Sequence, residues 1–82
     1  MTPQNFTAVE AEGPAGWTTV VARGDVDLAT ADDLWAVLEP VLGSGKRLVL
    51  DTSEVAFMDS AGLRVLLQAG RHAAASGGEF RH

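Results

Sequence analysis

The sequence predicts a small α/β domain, in which a small mixed β-sheet carries two packed helices in the order β-β-α-β-α-β. Three observations lead to this prediction. Two β-prone runs are separated by a glycine- and proline-rich turn, and the later apolar segments alternate between helix-like and strand-like patterns. The chain also has 82 residues, 46% of them hydrophobic, which suits one domain over residues 1–82. Helices that link successive strands imply right-handed crossovers and parallel pairing after the opening hairpin.

The chain opens with a predicted β-hairpin. Two β-prone runs, FTAVEAEG at residues 6–13 and WTTVVARG at residues 17–24, flank the turn sequence GPAG. Glycine and proline supply the backbone angles of tight turns, so we expect the two runs to pair antiparallel. The second run contains the adjacent apolar residues Val20 and Val21, which favours a more buried position in the sheet.

The first helix is predicted over residues 30–45, TADDLWAVLEPVLGSG. Thr30 is a favourable N-cap, and Asp32 and Asp33 fall in the first turn, where the helix dipole favours acids. Glycines at the end of the segment are typical of a helix C-terminus. The apolar residues recur at helical spacing, at Leu34, Val37, Leu38, Val41 and Leu42.

A strand, a loop, a second helix and the start of a last strand follow. Residues 47–51, RLVLD, have the continuous apolar centre of a buried parallel strand, and residues 52–59, TSEVAFMD, are expected to form a loop. The second helix is predicted from Ser60 to the glycines at 77 and 78, and a last strand begins in GEFRH. The buried stripe of this helix is predicted to be Leu63, Leu66, Leu67, Gly70 and Ala74, with Arg64, Gln68 and Arg71 facing outwards.

Charge and composition argue against several classes of function. Eleven acidic residues against six basic ones give a formal net charge of −5, which repels phosphate backbones, so no nucleic-acid partner is expected. The apolar runs are too short to insert into a membrane, and the N-terminal sequence lacks the pattern of a secretion signal. The chain has no cysteine, which suits a reducing compartment, and we expect it in the cytoplasm.

Polar side chains collect in two segments that follow predicted strands, where α/β sheets form their sites. These segments, GDVDLAT and DTSEVAFMDSAG, carry the aspartates Asp25, Asp27, Asp51 and Asp59. Four acids could gather magnesium, or serve a small nucleotide-binding or hydrolytic domain. Caps and turns explain them more simply, however, and no phosphate-binding loop precedes a helix. We therefore assign neither a metal nor a cofactor.

Ser60 has two compatible interpretations. It is expected to cap the second helix, accepting a hydrogen bond from a first-turn amide. Its hydroxyl could also be exposed as a site of chemistry. Gly62 has no side chain to cover the backbone amides of the first turn, and a helix N-terminus favours anions. A phosphate on Ser60 would gain from those amides and would meet Asp59 and Asp27 as like charges.

Ser60 is not expected to act as a nucleophile. A serine nucleophile needs a base within hydrogen-bond reach. His72 lies twelve residues further along the same predicted helix, roughly 18 Å away, and His82 ends the sequence. The chain is therefore not predicted to be an enzyme, and His72 is expected to face solvent.

Two stretches of the sequence together resemble a known family. FMDSAGLRVLL at residues 57–67 resembles the motif of anti-sigma factor antagonists, bacterial proteins with a STAS domain, in which Asp-Ser, a small residue and Gly-Leu open a helix. RGDVDLATADDL at residues 23–34 is similar to the family's other marked stretch, in which a strand ends in Gly-acid-aliphatic-Asp and a helix starting Thr-Ala-acid-acid-Leu follows. The resemblance covers nearly the whole chain.

This resemblance implies a switch protein. In the family, the motif serine is phosphorylated by an anti-sigma factor that is a serine kinase, and a serine phosphatase resets it. The unphosphorylated form binds the kinase and so releases a sigma factor for transcription. By position, Ser60 matches the phosphoacceptor, Asp59 and Asp27 match acids at the site, and Gly62 matches the helix-opening glycine. Thr30 begins the helix after Asp27 and is included in the partner and phosphate site.

The resemblance also leaves an alternative and implies a short C-terminus. The family includes non-switching STAS subunits of transporters or lipid-trafficking complexes, which often lack the motif serine that is present here. Family members also continue past the fourth strand into a further helix, so the STAS-like fold is expected to be truncated before its C-terminal helix.

Overall fold

The computed structural model describes residues 6–82. It contains two helices and four strands in the predicted β-β-α-β-α-β order, which confirms the fold class. The part of the single-domain prediction that concerns residues 1–5 lies outside the described residues. The elements are β1 (Phe6–Glu12), β2 (Trp17–Val26), α1 (Ala31–Gly43), β3 (Arg47–Met58), α2 (Ser60–Ser76) and β4 (Glu79–Arg81).

The strands form one mixed sheet in the order β1-β2-β3-β4. β1 pairs antiparallel with β2, whereas β2 with β3 and β3 with β4 are parallel, as predicted. The hairpin turn is closed by a 2.9 Å hydrogen bond from the Trp17 amide to the Pro14 carbonyl. Gly16 in this turn has a φ of 84°, which glycine adopts without strain.

Both helices pack on the same face of the sheet, because both crossovers step in the same direction along the strand order. A single core cluster joins the helices to this inner face, where Val20 of β2 and Leu48 of β3 are fully buried. On the outer face, Trp17 lies near the guanidinium groups of Arg47 and Arg81, at 5.9 and 5.3 Å from its ring centroid. Among residues 6–82, no helix covers that outer face.

β3 is more than twice as long as predicted, and the loop expected at residues 52–59 was wrong. The strand continues to Met58, and its second half follows β2 with two register shifts. Polar residues suggested a loop, yet a strand with one solvent-facing side accepts them at alternate positions. Arg23 of β2 and Glu54 of β3 form a 3.0 Å ion pair across this extension. β4 is short and pairs only with Arg47–Val49 of β3.

The predicted buried stripe of α2 was also wrong. Leu63 and Leu67 are 54% and 63% exposed, and Gly70 and Ala74 are exposed as well, whereas Leu66 is half-buried. The outward positions of Arg64, Gln68 and Arg71 were correct. Small side chains let α2 approach the sheet closely, and the buried stripe is instead Gly62, Val65, Ala69 and Ala73.

The two helices are joined by a polar contact that the sequence did not indicate. His72 of α2, expected to face solvent, has a side chain that is only 33% exposed and lies 3.1 Å from a carboxylate oxygen of Glu39 of α1. Its ring also meets Trp35 edge-on, with 5.6 Å between the centroids.

Among residues 6–82, neither helix has the length and apolar character needed to cross a membrane.

Candidate functional site

The two polar segments predicted from the sequence meet where β2 and β3 end. Val26 of β2 is the register partner of Met58 of β3, and the Asp59 amide donates a 3.1 Å hydrogen bond to the Val26 carbonyl. This bond fixes the start of α2 beside the turn that leads into α1. The sheet therefore brings together Asp27, Thr30, Asp59, Ser60 and Gly62, the residues assigned to the site from the sequence.

Asp59 caps α2, and the prediction that Ser60 would be the cap was wrong. The Asp59 carboxylate accepts hydrogen bonds from the amides of Ala61 at 2.8 Å and Gly62 at 3.3 Å. Because the Asp59 amide bonds to Val26, Asp59 is held in an extended conformation just before the helix, and Ser60 becomes the first helical residue. Ser60 is exposed. Its hydroxyl is therefore not needed to cap the helix.

Removing the Asp59 cap is expected to destabilise the protein. Asp59→Ala leaves two first-turn amides without their acceptor, so the free energy of unfolding should fall by about 1 kcal/mol. Asp59→Asn is the matched control, since asparagine caps equally well and should unfold at nearly the wild-type denaturant concentration. Urea denaturation followed by circular dichroism measures both. Equal stability of Asp59→Ala and Asp59→Asn would contradict the capping role.

Asp27 organises the turn between β2 and α1. Its carboxylate oxygen accepts hydrogen bonds from the Ala29 amide at 3.0 Å and the Thr30 amide at 3.2 Å. Its backbone carbonyl accepts from the Ala31 amide at 2.8 Å. These bonds turn the chain sharply from the end of the strand into the helix. Asp27 thus has a structural role in the turn that joins β2 to α1.

Thr30 occupies the N-cap position of α1 as predicted, but its side chain makes no capping bond. The buried hydroxyl instead points back to the strand end, donating to the Asp25 carbonyl at 2.8 Å and accepting from the Asp27 amide at 3.0 Å. A side-chain oxygen shared between two backbone groups satisfies both in a partly buried place. Thr30 therefore locks the turn that Asp27 begins.

Gly62 serves close packing, and not the exposure of backbone predicted for it. A Cβ atom at this position would lie 2.5 Å from Cγ of Met58 and 2.9 Å from Cγ1 of Val26. Gly62 is buried, and its amide already donates to Asp59. The amides of Ala61 and Gly62 therefore already donate to the Asp59 carboxylate. Glycine is required at position 62 because α2 starts in close contact with the end of β2.

Exposed apolar side chains lie in the segments that carry Ser60 and Asp27. Leu28 is 82% exposed in the turn after Asp27, and Phe57 and Leu63, three residues before and after Ser60, are each 54% exposed. Sequence reasoning missed this surface, although an isolated leucine between Asp27 and Thr30 in a polar turn is an indication of it. Exposed apolar side chains next to polar ones are common on surfaces that bind proteins.

A groove separates the first turns of α1 and α2. It has a volume of about 200 Å³ and is lined by Leu28 and Trp35 on one side and by Ala61 and Arg64 on the other, with Asp32 also at its wall. One of its lining residues, Ala61, directly follows Ser60 in the sequence. It mixes apolar and charged groups, which is the composition of a protein-binding surface rather than of an enclosed small-molecule pocket.

The four aspartates do not assemble a cation site. Among residues 6–82, no three acidic or histidine side chains lie close enough to hold a metal ion. The Asp27 and Asp59 carboxylates bind nearby backbone amides, and that of Asp51 accepts from the Ser53 amide at 2.9 Å. Hydrogen bonds from Ser53 lower the pKa of the Asp51 carboxyl. Asp59 therefore acts as a cap and Asp27 as a turn residue, whereas the bond to Asp51 lies within β3 next to a register shift.

Comparison with protein-family models identifies the family. The model described as "Mlab, STAS domain" matches residues 11–81. The chain belongs to the STAS domain family. None of the curated proteins matches the chain significantly.

Solved structures of STAS proteins have the same fold. An anti-sigma factor antagonist from Mycobacterium paratuberculosis is 29% identical, with a TM-score of 0.81 over 96% of this chain and 67% of its own. The antagonist SpoIIAA in its unphosphorylated form is 17% identical, with a TM-score of 0.72 over 90% of this chain and 69% of its own. A STAS domain antagonist from Rhodobacter sphaeroides is 22% identical, with a TM-score of 0.71 over 93% of this chain and 83% of its own. STAS anti-sigma factor antagonists are non-enzymatic regulators.

Proposed function

We propose that this STAS domain protein is an anti-sigma factor antagonist and that Ser60 is its phosphorylation site. The observation that carries the proposal is the exposed Ser60, which follows the cap Asp59 and needs no bond of its own to hold the helix. The similarity to the Mycobacterium paratuberculosis antagonist supports the role of antagonist. A phosphorylated form of a structural neighbour, the Bacillus protein SpoIIAA, is consistent with a phosphate-based switch.

In the proposed mechanism, unphosphorylated Ser60 leaves a surface that binds an anti-sigma factor serine kinase. The exposed Leu28, Phe57 and Leu63 supply apolar contact area on that surface. The protein presents a hydroxyl, and the kinase supplies nucleotide, metal and base. Binding occupies the kinase and releases a sigma factor in the cytoplasm, where transcription takes place. We propose that residues 1–82 act as one domain in this exchange.

Phosphorylation of Ser60 would convert the surface from a form that binds the kinase to a form that releases it. A phosphate adds almost two negative charges beside Asp59, in a protein whose formal net charge is already −5. Desolvating that charge against apolar side chains is unfavourable, so the phosphorylated form should release the kinase. A serine phosphatase would then restore the binding-competent form.

The direct test is phosphorylation by a cognate kinase with ATP, followed by mass mapping of the modified peptide. We expect phosphate on Ser60 and complete loss of labelling in Ser60→Ala. Ser53→Ala is the matched control, because Ser53 is also exposed but lies within β3, and it should be labelled as wild type. In the same series, Ser60→Asp should weaken kinase binding at least tenfold in calorimetry, about 1.4 kcal/mol, whereas Ser53→Asp should not. Equal labelling of Ser60→Ala and wild type would disprove the site.

A second function is kept because the matching family model is described as "Mlab, STAS domain" and not as an antagonist. In this alternative, the protein is a non-switching subunit of a transporter or a lipid-trafficking complex. Co-purification with a membrane ATPase, together with no phosphate on Ser60 and equal partner binding by Ser60→Ala and Ser60→Asp, would favour it over the switch.

A further inference from the structure

Arg64 is an exposed cation one helical turn after Ser60. Residues four apart on a helix lie on the same side, roughly 6 Å from each other. Within residues 6–82, Arg64 forms no ion pair, whereas Arg23, Arg47 and Arg81 are each paired with a glutamate. Arg64 is thus available to an anion that forms on Ser60.

The three backbone amides that follow Ser60 in α2 already donate hydrogen bonds within the protein. The amides of Ala61 and Gly62 donate to the Asp59 carboxylate, and the Leu63 amide donates to the Asp59 carbonyl at 3.0 Å. A phosphate on Ser60 would therefore find the next three amides occupied and a carboxylate beside it. A side chain has to balance its charge, and Arg64 has the right spacing on the same helix.

We infer that Arg64 pairs with the phosphate of Ser60 and holds it along the first turn of α2. The inference rests on the proposed phosphorylation of Ser60. A guanidinium fork matches phosphate oxygens in two parallel hydrogen bonds, which makes arginine a strong partner for phosphate. Asp32 also lines the groove, but among residues 6–82 its carboxylate forms no ion pair with Arg64. A dianionic phosphate attracts the guanidinium more strongly than one carboxylate does.

The pairing gives the switch a second effect besides charge. Arg64 lines the groove together with Leu28 and Trp35. When Arg64 turns towards the phosphate, it leaves the wall of the groove, so that the shape of the surface changes along with its charge. Phosphorylation then alters the groove between α1 and α2 without any movement of the backbone.

The test places phosphoserine at position 60 by semisynthesis, so that no kinase is needed. Phosphorus NMR then measures the pH midpoint of the second ionisation of the phosphate. Because Arg64 stabilises the dianion, Arg64→Gln should raise this midpoint by about 0.3 pH unit or more. Arg71→Gln is the matched control, since Arg71 is exposed on the same helix but seven residues further on, and its midpoint should stay at the wild-type value. Arg64→Lys, which keeps the charge and loses the fork, should fall between wild type and Arg64→Gln.

A second measurement needs no variant. The side-chain nitrogen resonance of Arg64 in the phosphorylated wild type should titrate with the phosphate, and that of Arg71 should not. Equal midpoints for Arg64→Gln and Arg71→Gln, or an Arg64 resonance that ignores the phosphate, would overturn the inference. Failure of kinases to label Ser60 would instead overturn the proposed function alone, because the phosphate here is installed chemically.

Discussion

Gly62→Ala should lower the free energy of unfolding by about 2 kcal/mol, although alanine is the better helix former. The added methyl group would meet Met58, and it would lie 3.0 Å from the backbone oxygen of Val26, which cannot rotate away as a side chain can. Overpacking of about 3 kcal/mol is partly offset by about 1 kcal/mol of helix propensity. Because α2 must shift to make room, the proposed phosphorylation of Ser60 should also become slower in Gly62→Ala.

Gly70→Ala is the matched control for this result. Gly70 lies in the same helix, is exposed, and has nothing within 4 Å of the position that a Cβ atom would take. Alanine there should stabilise the protein by about 0.5 to 1 kcal/mol. Guanidinium denaturation of the two variants should therefore give midpoints on opposite sides of wild type. If the midpoints of both variants shift in the same direction, the close contact between α2 and β2 does not determine the stability of Gly62→Ala.

Thr30→Val should cost about 2 kcal/mol of stability, although valine has nearly the same shape as threonine. The lost hydroxyl is the donor to the Asp25 carbonyl and the acceptor for the Asp27 amide, in a residue that is 9% exposed. Two backbone groups then remain partly buried without partners, and each such group costs about 1 to 3 kcal/mol where water cannot replace the bond. Thermal unfolding followed by circular dichroism measures the loss.

Thr30→Ser separates the hydroxyl from the methyl group in this test. Serine keeps both hydrogen bonds and removes only one methyl group, so its loss of stability should be about 1 kcal/mol or less. The melting temperature should be highest for wild type, lower for Thr30→Ser and lowest for Thr30→Val. A Thr30→Val protein as stable as Thr30→Ser would show that the hydroxyl does not hold the turn.

The order of elements followed from local patterns in the sequence, whereas the face of α2 did not. The GPAG turn between two β-prone runs was enough to predict the hairpin. The spacing of apolar residues and the glycines at the helix ends were enough to predict the helices. In α2 two stripes compete, one of leucines and one of small residues, and hydrophobicity alone favours the leucines. The structure buries Val65 and Ala69 because small side chains fit a close approach, and this depends on tertiary contacts that no local pattern contains.

The meeting of the two polar segments at the ends of β2 and β3 was predictable, and the hydrogen bonds formed there were not. The sequence placed Asp27, Thr30, Asp59 and Ser60 together because strand ends meet at one edge of a parallel sheet. Asp59 and Ser60 are both good N-caps, however, and the choice between them is made by the bond from the Asp59 amide to Val26, a residue more than thirty positions earlier. Adjacent capping residues cannot be separated without such a distant contact.

The placement of the two tryptophans also gives the molecule separate optical probes. Trp35 lines the groove beside Arg64, whereas Trp17 lies on the outer sheet face near Arg47 and Arg81. The chain contains no tyrosine, so its near-ultraviolet fluorescence is dominated by these two indoles. A protein retaining only Trp35 would report by emission on events next to Ser60, and one retaining only Trp17 would serve as the reference at a distant surface.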